Sequence, residues 1–145
     1  NSFSPSVIKG GLDTENTNLN EMEIPVLGSI AAGTPVEAIQ NEVSRIPLPS
    51  NLEKNGQYFG LKVQGDSMIE AGIHDGDLVV IDKSKKPLDG DIGAFLVYDT
   101  EATVKYIDTI RNKQYLIPAN KNYENIEISE NISIVGKVVS LFRDM

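Results

Sequence analysis

Tyr58-Phe59-Gly60-Leu61-Lys62-Val63-Gln64-Gly65-Asp66-Ser67-Met68 decides how the chain is read. The part from Tyr58 to Val63 is apolar and β-favouring and predicts a strand. Gly65 frees the backbone to turn sharply. Ser67 then falls where a strand ends and a turn begins, with its hydroxyl presented rather than packed. A second apolar run, Leu78-Val79-Val80-Ile81, follows Gly76. A serine so placed is either a nucleophile or an ordinary turn residue, because Asp and Ser side chains bond nearby backbone groups. The turn alone does not choose between the two.

Working outward, the chain from Gln57 on is dense in short strands. The pattern predicts strands at 57–63, 77–82, 92–98, 102–108, 114–118 and 132–142. Asp75-Gly76-Asp77, Asp89-Gly90-Asp91, Asp99-Thr100-Glu101 and Arg111-Asn112-Lys113 separate them as turns. Neither Asp-Gly-Asp copy has the calcium-loop spacing, so no metal site is expected. No helical period runs beyond about two turns, and the class is mainly β. Upstream, Met22 to Gly28 begins the apolar pattern. Ser29-Ile30-Ala31-Ala32-Gly33-Thr34-Pro35 is small and easily drawn out as extended chain. Val36 to Gln40 continues as a short strand or turn, and Ile46-Pro47-Leu48-Pro49-Ser50 is an extended connector. Residues 1–22 are polar and read as a linker, leaving 23–145 as one domain.

The 145 residues suffice for one domain with a real core. No cysteine is present, which excludes a disulfide framework, a thiol nucleophile and a thiolate metal site. No apolar run approaches the roughly 18 residues of a membrane span. A cytoplasmic protein without membrane association or cofactor is expected. The formal net charge of −8 argues against duplex DNA binding by this segment, since that needs clustered Lys and Arg.

His74 is the one histidine, so a Ser-His-Asp triad would have to use it. It lies in a turn, Gly72-Ile73-His74-Asp75-Gly76, where solvent-facing histidines are the rule. A Ser-Lys pair is the other arrangement, and it needs a lysine that loses its proton near neutral pH. Lys83, Lys85 and Lys86 form an exposed cluster; Lys113 and Lys121 lie in polar loops. Lys105 differs, set in the apolar segment Ala102-Thr103-Val104-Lys105-Tyr106-Ile107. It is either a solvent-face strand lysine, which the alternation permits, or a desolvated base.

Three stretches in order resemble one family. Ile30 to Pro35 is similar to a self-cleavage segment. Gly65-Asp66-Ser67-Met68 with Gly72 to Asp77 is similar to a nucleophile stretch, and Glu101 to Lys105 to a lysine strand. Together they resemble the C-terminal, self-cleaving domain of LexA-type repressors, in the Ser-Lys peptidase superfamily with phage repressors and UmuD-type mutagenesis proteins. The resemblance runs from residue 24 to 142. It implies a compact multi-stranded LexA/signal-peptidase-like β fold with a Ser-Lys cleft. Ser67 would attack the Ala32 carbonyl, and neutral Lys105 would take the proton and return it to the Gly33 amine. Backbone N–H groups near Asp66 and Met68 would form the oxyanion hole, and Gln40 would lie close to the cleavage loop. The resemblance further implies a RecA filament on single-stranded DNA as co-protease, a homodimer through this domain, and operator DNA bound by an upstream winged helix-turn-helix domain. The terminal strand 132–142, taken as an exposed edge, is the expected dimer surface.

The rival readings are a UmuD-like polymerase accessory protein, a phage repressor, a signal peptidase acting in trans, which would need a membrane anchor, and a β-rich binding module without catalysis.

Overall fold

A computed structural model describes residues 22–28, 42–99 and 101–143. Nine strands follow in chain order: β1 Glu23–Leu27, β2 Glu42–Pro47, β3 Tyr58–Lys62, β4 Leu78–Asp82, β5 Ile92–Val97, β6 Glu101–Ile110, β7 Lys113–Ile117, β8 Ile126–Glu127 and β9 Ile132–Phe142. The one helical piece among the described residues is a 3-10 turn, Ile69–Ala71. The strands form a single sheet in the order β2-β1-β3-β4-β9-β5-β6-β7-β8. All neighbours are antiparallel except β1 and β3.

The central strands carry apolar residues on both faces, so the sheet buries both. Phe59 and Leu61 of β3, Val79 and Ile81 of β4, Ala94 and Leu96 of β5 and Val104 of β6 share one central cluster, closed by Met68 and Ile73. The alternate residues face outward into two smaller clusters. Tyr58 and Val80 join Ile24 at one end; Phe95 joins Ile107 and Leu116 at the other. A flat sheet could not bring β3 and β6 to one cluster, and β9 supplies the bend. Its register shifts against β5 between Ala94 and Phe95, and against β4 between Val80 and Ile81. Such bulges bend a strand and increase its twist. Between them, Gly136 passes the backbone of β4 so closely that a Cβ would lie 2.6 Å from the Asp82 carbonyl oxygen. No other residue fits there.

The mainly β class and the six expected strands agree with the structure to within about two residues, the usual uncertainty of strand ends. Three strands are not legible in the sequence. β2 is almost wholly exposed and shows no apolar alternation; its backbone pairing with β1 makes it a strand. β1 is apolar in sequence but carries a proline, which weakens its strand signal, and Pro25 sits where only β2 is its partner. β8 is two residues long. One expectation is corrected. β9 is not an outer edge strand: it pairs with β5 through Ile132 to Lys137 and with β4 through Lys137 to Phe142. The outer strands among the described residues are β2 and β8. The expected short strand or turn from Val36 to Gln40 lies outside the described residues, as does most of the 1–22 linker.

Candidate active site

Beyond Lys62 the chain turns back toward β4. The Val63 N–H donates to the Asp77 carbonyl and the Gly76 N–H to the Val63 carbonyl, both at 2.8 Å. Gly65 takes φ +85, a left-handed conformation that L side chains resist. Its N–H donates to Asp75 Oδ1 at 2.7 Å. Ser67 follows, half-buried at the mouth of a cleft. Met68, only 1% exposed, pins the turn into the central cluster.

Lys105 lines the same cleft from β6, with Gly28, Asp66, Met68, Glu101 and Thr103. Alternation left its face undecided, and the structure decides it. Ile107, two residues on, is fully buried with Phe95 and Leu116, and Lys105 itself is 7% exposed. Val104, on the opposite face, belongs to the central cluster. Both faces of β6 are covered here, a state that strand periodicity cannot reveal. Lys105 Nζ donates to Thr103 Oγ1. Burial lowers the Lys105 pKa below the ordinary lysine value, and the carboxylate of Glu101 opposes that fall. A lysine so placed holds its proton more weakly than an exposed one.

His74 is exposed; its backbone N–H donates to Asp77 Oδ2 at 2.7 Å, and its ring does not line the cleft. Lys85, Lys86, Lys113 and Lys121 are exposed, and Lys83 is half-buried. Ala32, Gly33 and Gln40 lie outside the described residues.

Several residues at this site gave no signal in the sequence. The loop after β7 reaches back to the Ser67 turn. Asn120 Nδ2 donates to the Asp66 carbonyl at 2.9 Å, and the Tyr123 hydroxyl donates to Asp66 Oδ1 at 2.6 Å. That bond raises the Tyr123 pKa. At the other end of the turn, Asp77 is 3% exposed and accepts two bonds from Arg143, at 2.8 and 2.7 Å. Arg143 also donates to the Gly72 carbonyl at 2.6 Å. The guanidinium holds the Asp77 pKa down at about 2, against the opposing effect of burial. These partners lie 54 to 71 residues apart in the chain, and nothing in their local composition sets them apart.

The arrangement joins a presented hydroxyl to a buried amine of lowered pKa in one cleft. It can accommodate acyl transfer with the amine as base. Comparison with known proteins agrees in kind. The Peptidase S24-like family model matches residues 25–139. The LexA repressor of Pelagibacter ubique is 67% identical over 145 residues, covering 99% of this chain and 64% of that protein. The LexA repressors of Acetivibrio thermocellus and Alcanivorax borkumensis are 44% and 43% identical over 86% of this chain, and 58% and 61% of their own lengths are covered. The chain thus spans about three-fifths of the length of these relatives.

Proposed function

The chain belongs to the Peptidase S24-like family, and on that premise we propose that it is the latent peptidase of a LexA-like repressor of the DNA-damage response, cutting its own Ala32-Gly33 bond. Ser67 Oγ attacks the Ala32 carbonyl, and its proton passes to neutral Lys105. The Ala32 C–N bond breaks, and Lys105 returns the proton to the Gly33 amine. Water then releases the acyl group from Ser67 by the same proton path. Backbone N–H groups at Ser67 and Met68 receive the oxyanion. The observation that carries this reading is the burial of Lys105 in the cleft that Ser67 borders. An exposed lysine would be a poor base at neutral pH.

Substrate and enzyme share one chain, so effective concentration is high and cleavage must be held back. A RecA filament on single-stranded DNA favours the docked state and shifts the population. Cleavage parts this domain, which dimerises, from an operator-binding domain, and bivalent DNA binding is lost. A UmuD-like accessory protein or a phage repressor would use the same site; the similarity to LexA repressors favours the first reading.

Alkaline incubation is expected to split the chain into residues 1–32 and 33–145, identified by mass. Ser67→Ala is expected to abolish the cut while keeping the fold, since a half-buried hydroxyl contributes little to the core. Cleavage at another bond, or cleavage that persists in Ser67→Ala, overturns the assignment.

A further inference from the structure

The loop from Pro118 to Glu124 holds the Ser67 turn by several bonds. Glu70 N–H donates to the Ala119 carbonyl at 2.8 Å, Ala119 N–H to Met68 Sδ at 3.3 Å, and Lys121 N–H to Glu70 Oε2 at 3.2 Å. All three use backbone donors of the loop or the turn and seat one on the other. The Asn120 side chain adds something different. It is 7% exposed, and its Oδ1 is occupied within its own loop by the Asn122 N–H at 2.9 Å. The amide nitrogen is therefore the atom turned toward the Asp66 carbonyl, at 2.9 Å.

That carbonyl belongs to the same peptide unit as the Ser67 N–H. In a trans peptide the two point in opposite directions, so holding one aims the other. The chain contains no cis bond among the described residues. Gly65, one residue upstream, imposes no side-chain restraint on how this peptide is set. The Asp66 oxygen also accepts the Ile69 N–H, at a longer 3.2 Å. The Ser67 N–H has no hydrogen-bond partner among the described residues, as a donor reserved for an oxyanion should not. The bond also helps to seat the loop, as buried hydrogen bonds do, but its acceptor is the carbonyl coupled through one peptide unit to the Ser67 N–H. We propose that Asn120 is a positioning residue for Ser67: by donating to the Asp66 carbonyl it fixes the Asp66–Ser67 peptide and aims the Ser67 N–H at the developing oxyanion. This rests on the peptidase reading above.

The test is the rate at which a fluorophosphonate probe modifies Ser67 in the full chain, measured across pH. Asn120→Ser removes the amide donor but keeps a hydroxyl that can accept the Asn122 N–H, as Ser does in turns. The plateau rate is expected to fall by about 10- to 100-fold. The pH midpoint, set by Lys105, is expected to stay, while the thermal midpoint falls by only about a few degrees with the loss of one buried bond. Lys121→Ala, on the exposed side of the same loop, is expected to react like the unaltered chain. Should the serine variant unfold, Asn120→Thr fills more of the volume, keeps a hydroxyl that can accept the Asn122 N–H and lacks the amide donor without adding a charge, and the same fall in plateau is expected. An unchanged plateau overturns the role of Asn120. So does a fall accompanied by a midpoint moved toward that of a free lysine, which would mean the cleft had merely opened. An equal fall in Lys121→Ala also overturns it. An unaltered chain in which Ser67 is not labelled overturns the peptidase reading, and the Asn120 role with it.

Discussion

An ammonium group carried beneath the surface by β6 loses hydration, and the lowered pKa of Lys105 is the thermodynamic record of that loss. The group therefore links stability to pH. In the unfolded chain a lysine titrates near about 10.4; in the fold Lys105 titrates lower. Between the two values the unfolded chain binds more protons, so stability rises with pH across that window. Below it the buried charge destabilises the fold in full. Lys105→Met, similar in reach but uncharged, is expected to abolish cleavage and to be more stable than Ser67→Ala at pH 7. Denaturant titrations of both variants at pH 7 and pH 10 check this, and the gap should narrow at the higher pH. A solvent-face lysine would leave the two variants equally stable at both. The loss of the bond to Thr103 works against the gain but does not reverse it, because the threonine hydroxyl can reorient to another partner.

At the scale of elements, β9 ties the two halves of the sheet together and then anchors the nucleophile turn. Its last residue is Phe142, and the next, Arg143, clamps Asp77 and the Gly72 carbonyl. The segment from Ser67 to Asp77 is thus held at its far end by the chain that leaves β9. Asp77 is buried and charged, and removing its partner leaves that charge unpaired. Arg143→Ala is expected to destabilise the fold by roughly 2 kcal/mol at neutral pH, the range for hydrogen bonds to a charged group. The folded carboxyl titrates at about 2 rather than its ordinary 3.8, so its stabilisation is present above 3.8 and lost as pH falls through that window. Urea unfolding from pH 7 downward is expected to show the gap between variant and unaltered chain shrinking as the carboxyl protonates. A gap constant with pH would show that Arg143 acts by packing alone.

At the scale of the molecule, the proposed self-cleavage requires that the cutting segment and the cleft be kept apart until a signal arrives. Uniform affinity for both arrangements shifts nothing; only a difference between docked and undocked states does. A proposed scissile pair of small residues fits this, since the cleft must admit the Ala32 methyl and Gly33 must bend. Gly33→Val is expected to block alkaline cleavage while a fluorophosphonate still labels Ser67. Loss of both would show a damaged fold rather than blocked docking. The net charge of −8 argues against duplex DNA binding by this segment.

Local patterning determined much of this protein. The apolar, β-favouring run from Tyr58 to Val63, the glycine turns and the later apolar runs determined a mainly β domain with Ser67 on a presented turn. The order of the Ile30–Pro35 segment, Ser67 and Lys105 determined the resemblance to self-cleaving repressors. β2 stayed illegible because an exposed strand has no burial pattern to print on its side chains; only pairing with β1 defines it. The face of Lys105 stayed open because period-2 alternation cannot tell a solvent face from one covered by a distant cluster. Asn120, Tyr123 and Arg143 were silent, since a hydrogen bond between residues more than fifty apart leaves no trace at either end. The place of β9 within the sheet was likewise decided by the tertiary structure. Its two bulges and Gly136 let one strand serve both β4 and β5, and that bend, rather than any local preference, brings Lys105 into the cleft with Ser67.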